Sequence, residues 1–277
     1  MAFDNYQGGG SGGSIWLDVG LLSGPGLISA NGGRSINNAG GGGGGRVAIY
    51  YSDASGFDLA TRVSNKGGLG HSNGPAGAAG TIYTKDKAVV LGAIRVDNTG
   101  ITLNGGDTDV TAPTISALVT VGNAKAKLSG SISGDLNLTG ATVSILDGSS
   151  IVNVKGTSSN ITAQGTLAAT NNILTIDGSV SLSLSQPLTL TSLSLLNGAT
   201  LTHAIAVSAT SSKLEVTATT VTIDATSKID VSSKSSFGAL TSGRTGGSYG
   251  GSGGAYQVAT NATYGSLEQP VDFGTGG

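Results

Sequence analysis

Ser179-Val180-Ser181-Leu182-Ser183-Leu184 and, a few residues on, Leu188-Thr189-Leu190-Thr191 decide the fold. Aliphatic and small polar residues alternate strictly, which is the period of a strand with one buried face. The same alternation appears at Ile101-Thr102-Leu103, Leu136-Asn137-Leu138 and Val221-Thr222-Ile223, so strands are expected from about 88 to 233. Helical spacing with caps is not evident. A short phrase punctuates this region: Leu103-Asn104-Gly105-Gly106, Leu146-Asp147-Gly148-Ser149, Ile176-Asp177-Gly178-Ser179 and Leu196-Asn197-Gly198-Ala199. Asn-Gly and Asp-Gly tolerate positive φ and mark turns. Their spacings of 43, 30 and 20 residues fit a coil of roughly 20 residues, or about two coils with one insertion.

Two architectures use such strands. A β-sandwich separates antiparallel strands by turns every 8–12 residues. A β-solenoid stacks coil on coil around a narrow aliphatic interior. No aromatic residue falls between 84 and 236, whereas a sandwich core about 10 Å thick generally takes a Trp or Phe. The expectation is therefore an all-β, right-handed parallel β-solenoid (β-helix), with a β-sandwich as the alternative.

The flanks differ in composition. Of 48 glycines in 277 residues, 27 lie in 1–106, nine in 107–235 and twelve in 236–277. The chain thus divides into a glycine-rich β-repeat segment (1–87), an aliphatic Ser/Thr segment (88–235) and a glycine/aromatic segment (236–277). In the first, a lead-in strand recurs as Gly13-Ser14-Ile15-Trp16-Leu17, Gly45-Arg46-Val47-Ala48-Ile49 and Gly80-Thr81-Ile82-Tyr83-Thr84. A lead-out recurs as Leu27-Ile28-Ser29-Ala30-Asn31-Gly32-Gly33 and Arg62-Val63-Ser64-Asn65-Lys66-Gly67-Gly68, with a looser third version at Ile229-Asp230-Val231-Ser232-Ser233-Lys234. Matching strands bracket each glycine excursion, which favours ordered, polyproline-II-like glycine loops over a flexible linker.

The chain opens on Gly8–Gly13 without a preceding lead-out and finishes in Gly274-Thr275-Gly276-Gly277 without a following strand. The two halves complete one excursion if copies join head to tail, and heterologous contacts that do not close give open filaments. The residues expected at that junction are Phe3, Tyr6, Gly8, Gly9, Gly10, Trp16, Tyr264, Phe273, Gly274, Gly276 and Gly277.

Composition removes several classes. There is no cysteine, so no disulfide framework, and two histidines give no zinc motif. Five prolines exclude collagen. A net charge of −2 without a basic tract lacks the footprint of a nucleic-acid binder. No apolar run reaches the length of a membrane span, and Met1-Ala2-Phe3-Asp4 shows no signal peptide.

Gly12-Gly13-Ser14-Ile15-Trp16-Leu17, Gly44-Gly45-Arg46-Val47-Ala48-Ile49-Tyr50-Tyr51, Asn197-Gly198-Ala199-Thr200-Leu201-Thr202-His203 and Tyr264-Gly265-Ser266-Leu267-Glu268-Gln269-Pro270 resemble phrases of very large glycine-rich, β-helix-like bacterial extracellular proteins of adhesin or matrix type. The resemblance covers about 1–84 and 190–277 phrase by phrase, and the middle in style. It implies a bacterial cell-surface or extracellular location and a repeat architecture, not an activity. The chain is far shorter than such proteins.

Candidate chemistry is sparse. Asp107-x-Asp109 beside glycines is a weak calcium pair, since six to eight oxygen ligands are needed. His71 and His203 show no Ser or Asp partner in sequence, and no catalytic residue is expected. The glycine run ends Gly45-Arg46-Val47 rather than in a phosphate-loop Gly-Lys-Ser/Thr, and Arg46 is expected to bind loop carbonyls. Trp16, Tyr50, Tyr51 and Tyr83 either stack on surface glycans or pack over glycine backbone. The functional expectation is a structural, non-enzymatic module that stacks with itself or forms one repeat of a surface protein. A glycan- or receptor-binding tip module is the alternative, and a polysaccharide-active β-helix enzyme the third.

Overall fold

The structure, a computed structural model, describes residues 7–101, 106–205, 213–234, 245–256, 259–260, 262–268, 270, 272 and 274. The chain is all-β and built on one large, mostly parallel sheet. Among the described residues the single helical element is a 3-10 turn, Thr170–Asn172, and no helix is long and apolar enough to cross a membrane.

The glycine-rich segment contributes β1 (Ser14–Ser23), β2 (Ile28–Ser29), β3 (Arg46–Gly56), β4 (Val63–Ser64) and β5 (Thr81–Asp86). Parallel pairing joins β1 to β3 and β3 to β5, with Ile15 opposite Val47 and Val47 opposite Ile82. These inward residues, with Ile49, Phe57 and Val63, form a small core of their own. The lead-outs β2 and β4 pair in parallel as a second sheet.

Beyond the strands, five segments numbered 7–13, 28–36, 39–45, 62–70 and 74–80 lie side by side, tied by backbone bonds between segments. Gly9 and Gly12 N–H donate to Gly40 and Gly43 carbonyls, and Gly41 and Gly44 N–H to those of Pro75 and Ala78. The donors are three residues apart each time. Only glycine permits this approach: a Cβ on Gly42 would stand 2.0 Å from the Gly10 carbonyl oxygen, and one on Gly45 1.9 Å from that of Gly13.

The remaining strands are β6 (Ala93–Asp97), β7 (Thr108–Ile115), β8 (Ala117–Val121), β9 (Lys125–Ile132), β10 (Asp135–Thr139), β11 (Thr142–Ile145), β12 (Ser150–Ile151), β13 (Asn153–Ala163), β14 (Ala168–Ala169), β15 (Ile173–Leu184), β16 (Leu188–Leu196), β17 (Thr200–His203), β18 (Val216–Ile223) and β19 (Lys228–Ile229). β6 runs antiparallel to β5, so the strand direction reverses between Asp86 and Ala93. From there every pairing is parallel. One ladder joins β6, β8, β10, β13, β15, β16 and β18. A second joins β7, β9, β11, β13, β15, β17 and β19. β13 and β15 serve both because each bends within itself, where the register shifts between Gly156 and Ser159 and Gly178 takes φ 99°. Partners lie 17 residues apart at Lys125 and Thr142, 22 at Val154 and Ile176, and 28 at Leu195 and Ile223.

The alternating pattern explains the interior. In the first ladder Ile94, Leu118, Leu136, Val154, Ile176 and Leu195 stand directly over one another, and all are buried. In the second, Ala126, Val143, Ile161, Leu182 and Leu201 do the same. The two columns belong to one aliphatic core. Each fully buried side chain of this kind contributes about 1.5–3 kcal/mol, and branched side chains spaced about 4.8 Å apart leave no room between rungs for an aromatic ring.

Candidate assembly edges

Among the described residues the core columns run on toward the C-terminal side into residues that are only partly covered. Ile223 continues the column of Leu195, Val221 that of Leu193, and Ile229 that of Leu201. Residues one rung below are fully buried, yet these three are 44%, 46% and 42% exposed. Beside them lies a cavity of about 540 Å³ whose walls include His203, Leu214, Ile229, Val231, Tyr249 and Asp272. The adjoining glycine segment folds on itself, with Gly246 N–H donating to the Gly254 carbonyl and Tyr264 N–H to that of Tyr249. The Tyr249 and Tyr264 rings meet edge to face, 5.2 Å apart.

The opposite side ends in β1, which pairs with β3 alone among the described residues. Trp16 is 68% and Leu21 62% exposed on this edge. Trp16 leans on Tyr50 (ring centroids 6.2 Å apart) and Tyr50 on Tyr83 (5.6 Å), forming a tilted three-ring ladder on the outer sheet face. Burial and the neighbouring Tyr50 push the Tyr83 hydroxyl above its usual pKa. Tyr51 does not join them: alternation turns it inward, against the Val47 and Ile49 core.

The expected junction residues therefore divide. Gly8, Gly9, Gly10 and Trp16 lie on or beside the β1 edge, while Tyr264 and Gly274 belong to the C-terminal segment, Gly274 lining the cavity. Phe3, Tyr6, Phe273, Gly276 and Gly277 lie outside the described residues.

Other candidates have local partners. The cation beside Asp107 is Lys127, whose amine is 2.8 Å away. Asp109 is its neighbour across the ladder. The hydrogen bond and charge of Asp107, with the charge of Asp109, hold the Lys127 amine above its ordinary pKa. No group of three or more His, Cys, Asp or Glu positioned to hold a metal occurs among the described residues. His71 Nδ1 lies 2.9 Å from Ser72 Oγ in the glycine block. His203 is buried as the last rung above Leu184, its Nδ1 donating to the Ala204 carbonyl at 2.6 Å.

Sequence reasoning missed the residues that bind the glycine block to the ladders. Asn65 and Asn98 are fully buried; Asn65 donates to the Gly45 carbonyl, and Asn98 accepts from Gly67 N–H and donates to the Gly77 carbonyl. Asn31 accepts from Ser64 Oγ and Lys66 N–H. The signal was present, since each asparagine ends a short strand in Ala30-Asn31-Gly32, Ser64-Asn65-Lys66 and Asp97-Asn98-Thr99. The stretch from Ile229 starts on β19, which pairs with β17 in the second ladder, and the residues after Lys234 up to 244 lie outside the described residues. The carbonyl-binding role expected of Arg46 falls to Arg95, which donates to the Ala60 and Val63 carbonyls, and to Arg62, which donates to that of Pro25. Arg46 itself is exposed. Compared with protein-family models, curated proteins and solved structures, the chain matches none.

Proposed function

We propose that the chain is an extracellular structural module, a right-handed parallel β-solenoid with a polyproline-II-like glycine bundle, which stacks head to tail with copies of itself into a fibre. The observation that carries this reading is the open end of the core. Columns that are fully buried at Leu193, Leu195 and Leu201 continue into half-exposed Val221, Ile223 and Ile229. Solenoid ends need a polar cap to stay soluble alone, and an edge left without a second partner among the described residues, as β1 is, recruits further strands. Parallel partners about one coil apart support the solenoid, and the three-residue spacing of the glycine donors supports the threefold helix. The extracellular, bacterial setting follows from the resemblance of the glycine/aromatic phrases, and the reading assigns no catalysis. Electron microscopy of the purified chain tests it. Filaments with a regular axial repeat are expected, and their formation should be lost in Val221→Asp/Ile223→Asp. A strictly monomeric particle at high concentration overturns it.

A second reading rests on the Trp16, Tyr50 and Tyr83 ladder, since a row of rings led by exposed Trp16 on an outer sheet face can stack on sugars. It differs in requiring that a single copy, not a fibre, bind glycans.

A further inference from the structure

The glycine bundle follows a positional rule that its first segment leaves incomplete. A Cβ on Gly77 would meet the Gly42 carbonyl oxygen at 2.0 Å, and one on Gly42 would meet that of Gly10 at 2.0 Å. In parallel, Gly80 leans on Gly45 at 1.8 Å and Gly45 on Gly13 at 1.9 Å. Each lead-in segment therefore has two glycines, three residues apart, that exist to admit the carbonyls of the segment before it. At the corresponding places in the first segment, Gly10 and Gly13 have no atom within 4 Å of where a Cβ would stand, and neither has a positive φ. Nothing described within the chain requires glycine there.

The donors obey the same rule. Gly9 and Gly12 donate to Gly40 and Gly43, and Gly41 and Gly44 to Pro75 and Ala78. One layer earlier, the corresponding acceptors are the carbonyls of Gly8 and Ser11, on the same outer side as Gly10 and Gly13. They continue the edge of β1, which pairs with β3 alone among the described residues, with exposed Trp16 beside them.

We infer that this edge is a docking surface for a glycine-rich segment of a second copy, residues 245–254. This rests on the head-to-tail reading above and specifies its joint. Among the described residues, 245–254 is the glycine-rich stretch outside the bundle; it is paired with itself through Gly246 and Gly254, while Gly250, Gly251 and Gly254 likewise have no atom within 4 Å of a Cβ position and leave it an open outer side. Carbonyls on its outer side seat on Gly10 and Gly13, and its N–H groups donate to the carbonyls of Gly8 and Ser11. The bundle's existing interface is continued by one layer, so the partner must present two glycines three residues apart, as Gly9 and Gly12 do toward Gly42 and Gly45, a spacing that 245–254 offers at Gly247 and Gly250 or Gly251 and Gly254.

The test compares Gly10→Ala/Gly13→Ala with wild type. With open space and ordinary φ at both positions, the variant should keep the wild-type circular dichroism and melting temperature. Its self-association, measured by analytical ultracentrifugation, should weaken by at least about tenfold. Gly45→Ala is the contrast and should lose the fold, because its Cβ meets backbone within the chain. Trp16, the sole tryptophan, supplies a readout that needs no variant: its emission should shift to the blue as wild type associates. A variant that assembles as wild type does, or filaments in which Trp16 emission stays that of an exposed ring, overturn this joint while leaving head-to-tail stacking intact. A wild type that never associates overturns both.

Discussion

A buried asparagine is costly unless its amide is satisfied, and Asn98 is satisfied on both sides. It bridges Gly67 N–H and the Gly77 carbonyl, joining the 62–70 and 74–80 segments at two glycines. Asn98→Ala leaves a buried donor and acceptor without that partner, and a loss of about 1–3 kcal/mol is expected, read as a lowered urea midpoint. Leucine at the same place would restore volume but not the bonds, so it should rescue little. The aspartates act differently. Asp224 accepts from the N–H groups of Asn197, Thr226 and Ser227, and these bonds hold its carboxyl well below the usual carboxylate range. Asp230, bonded by Lys228 and by Ser232 N–H, is held low as well. Because both folded-state values are depressed, their contribution is complete above the unfolded value of about 3.9. It is lost as pH falls through the lower folded values. The amide proton shifts of Asn197 and Thr226 should therefore stay constant from pH 7 to about 4 and move only below that. A transition centred near pH 5 would contradict the bonding.

At the scale of the strand, position along a column matters more than residue type. Leu136 and Ile223 occupy the same column of the first ladder. Leu136→Ala should cost about 2–5 kcal/mol, since it opens a cavity between fixed rungs. Ile223→Ala, at the solvent end, should cost under about 1 kcal/mol in the dispersed protein. Chemical denaturation at low protein concentration separates the two. This also shows what the sequence made legible. Strict alternation in Val180–Leu184 and Leu188–Leu190 was enough to place inward and outward residues, and the absence of aromatics matched a buried core made of aliphatic side chains. The Asn-Gly and Asp-Gly turns marked strand ends. The reversal after β5 was not, because antiparallel and parallel neighbours share the same alternation. Nor was the role of Asn98, whose partners lie 31 and 21 residues away on glycine backbone. Tyr51 was grouped with Tyr50 by sequence proximity, and a period of two separates neighbours onto opposite faces.

On the scale of the molecule, two blocks with separate cores meet where strand direction reverses. Arg95 on β6 reaches back to the Ala60 and Val63 carbonyls, so one guanidinium clasps the glycine block to the ladders. Ion pairs add little to this framework. Lys87–Asp18, Lys127–Asp107 and Lys155–Asp135 are all substantially solvent-exposed, and such pairs contribute about 0–1 kcal/mol each. Rigidity comes from backbone bonds between successive strands, and those bonds point from one strand to the next. A pull along that direction meets them one strand at a time, like a zipper. A pull along the strands loads every bond of a pairing together, as in shear. The same molecule is therefore compliant in one direction and stiff in the other. Beyond the bend at Gly178, a chain drawn out by its end gives up one strand pairing at a time, a stepwise extension that dissipates work before the whole body gives way.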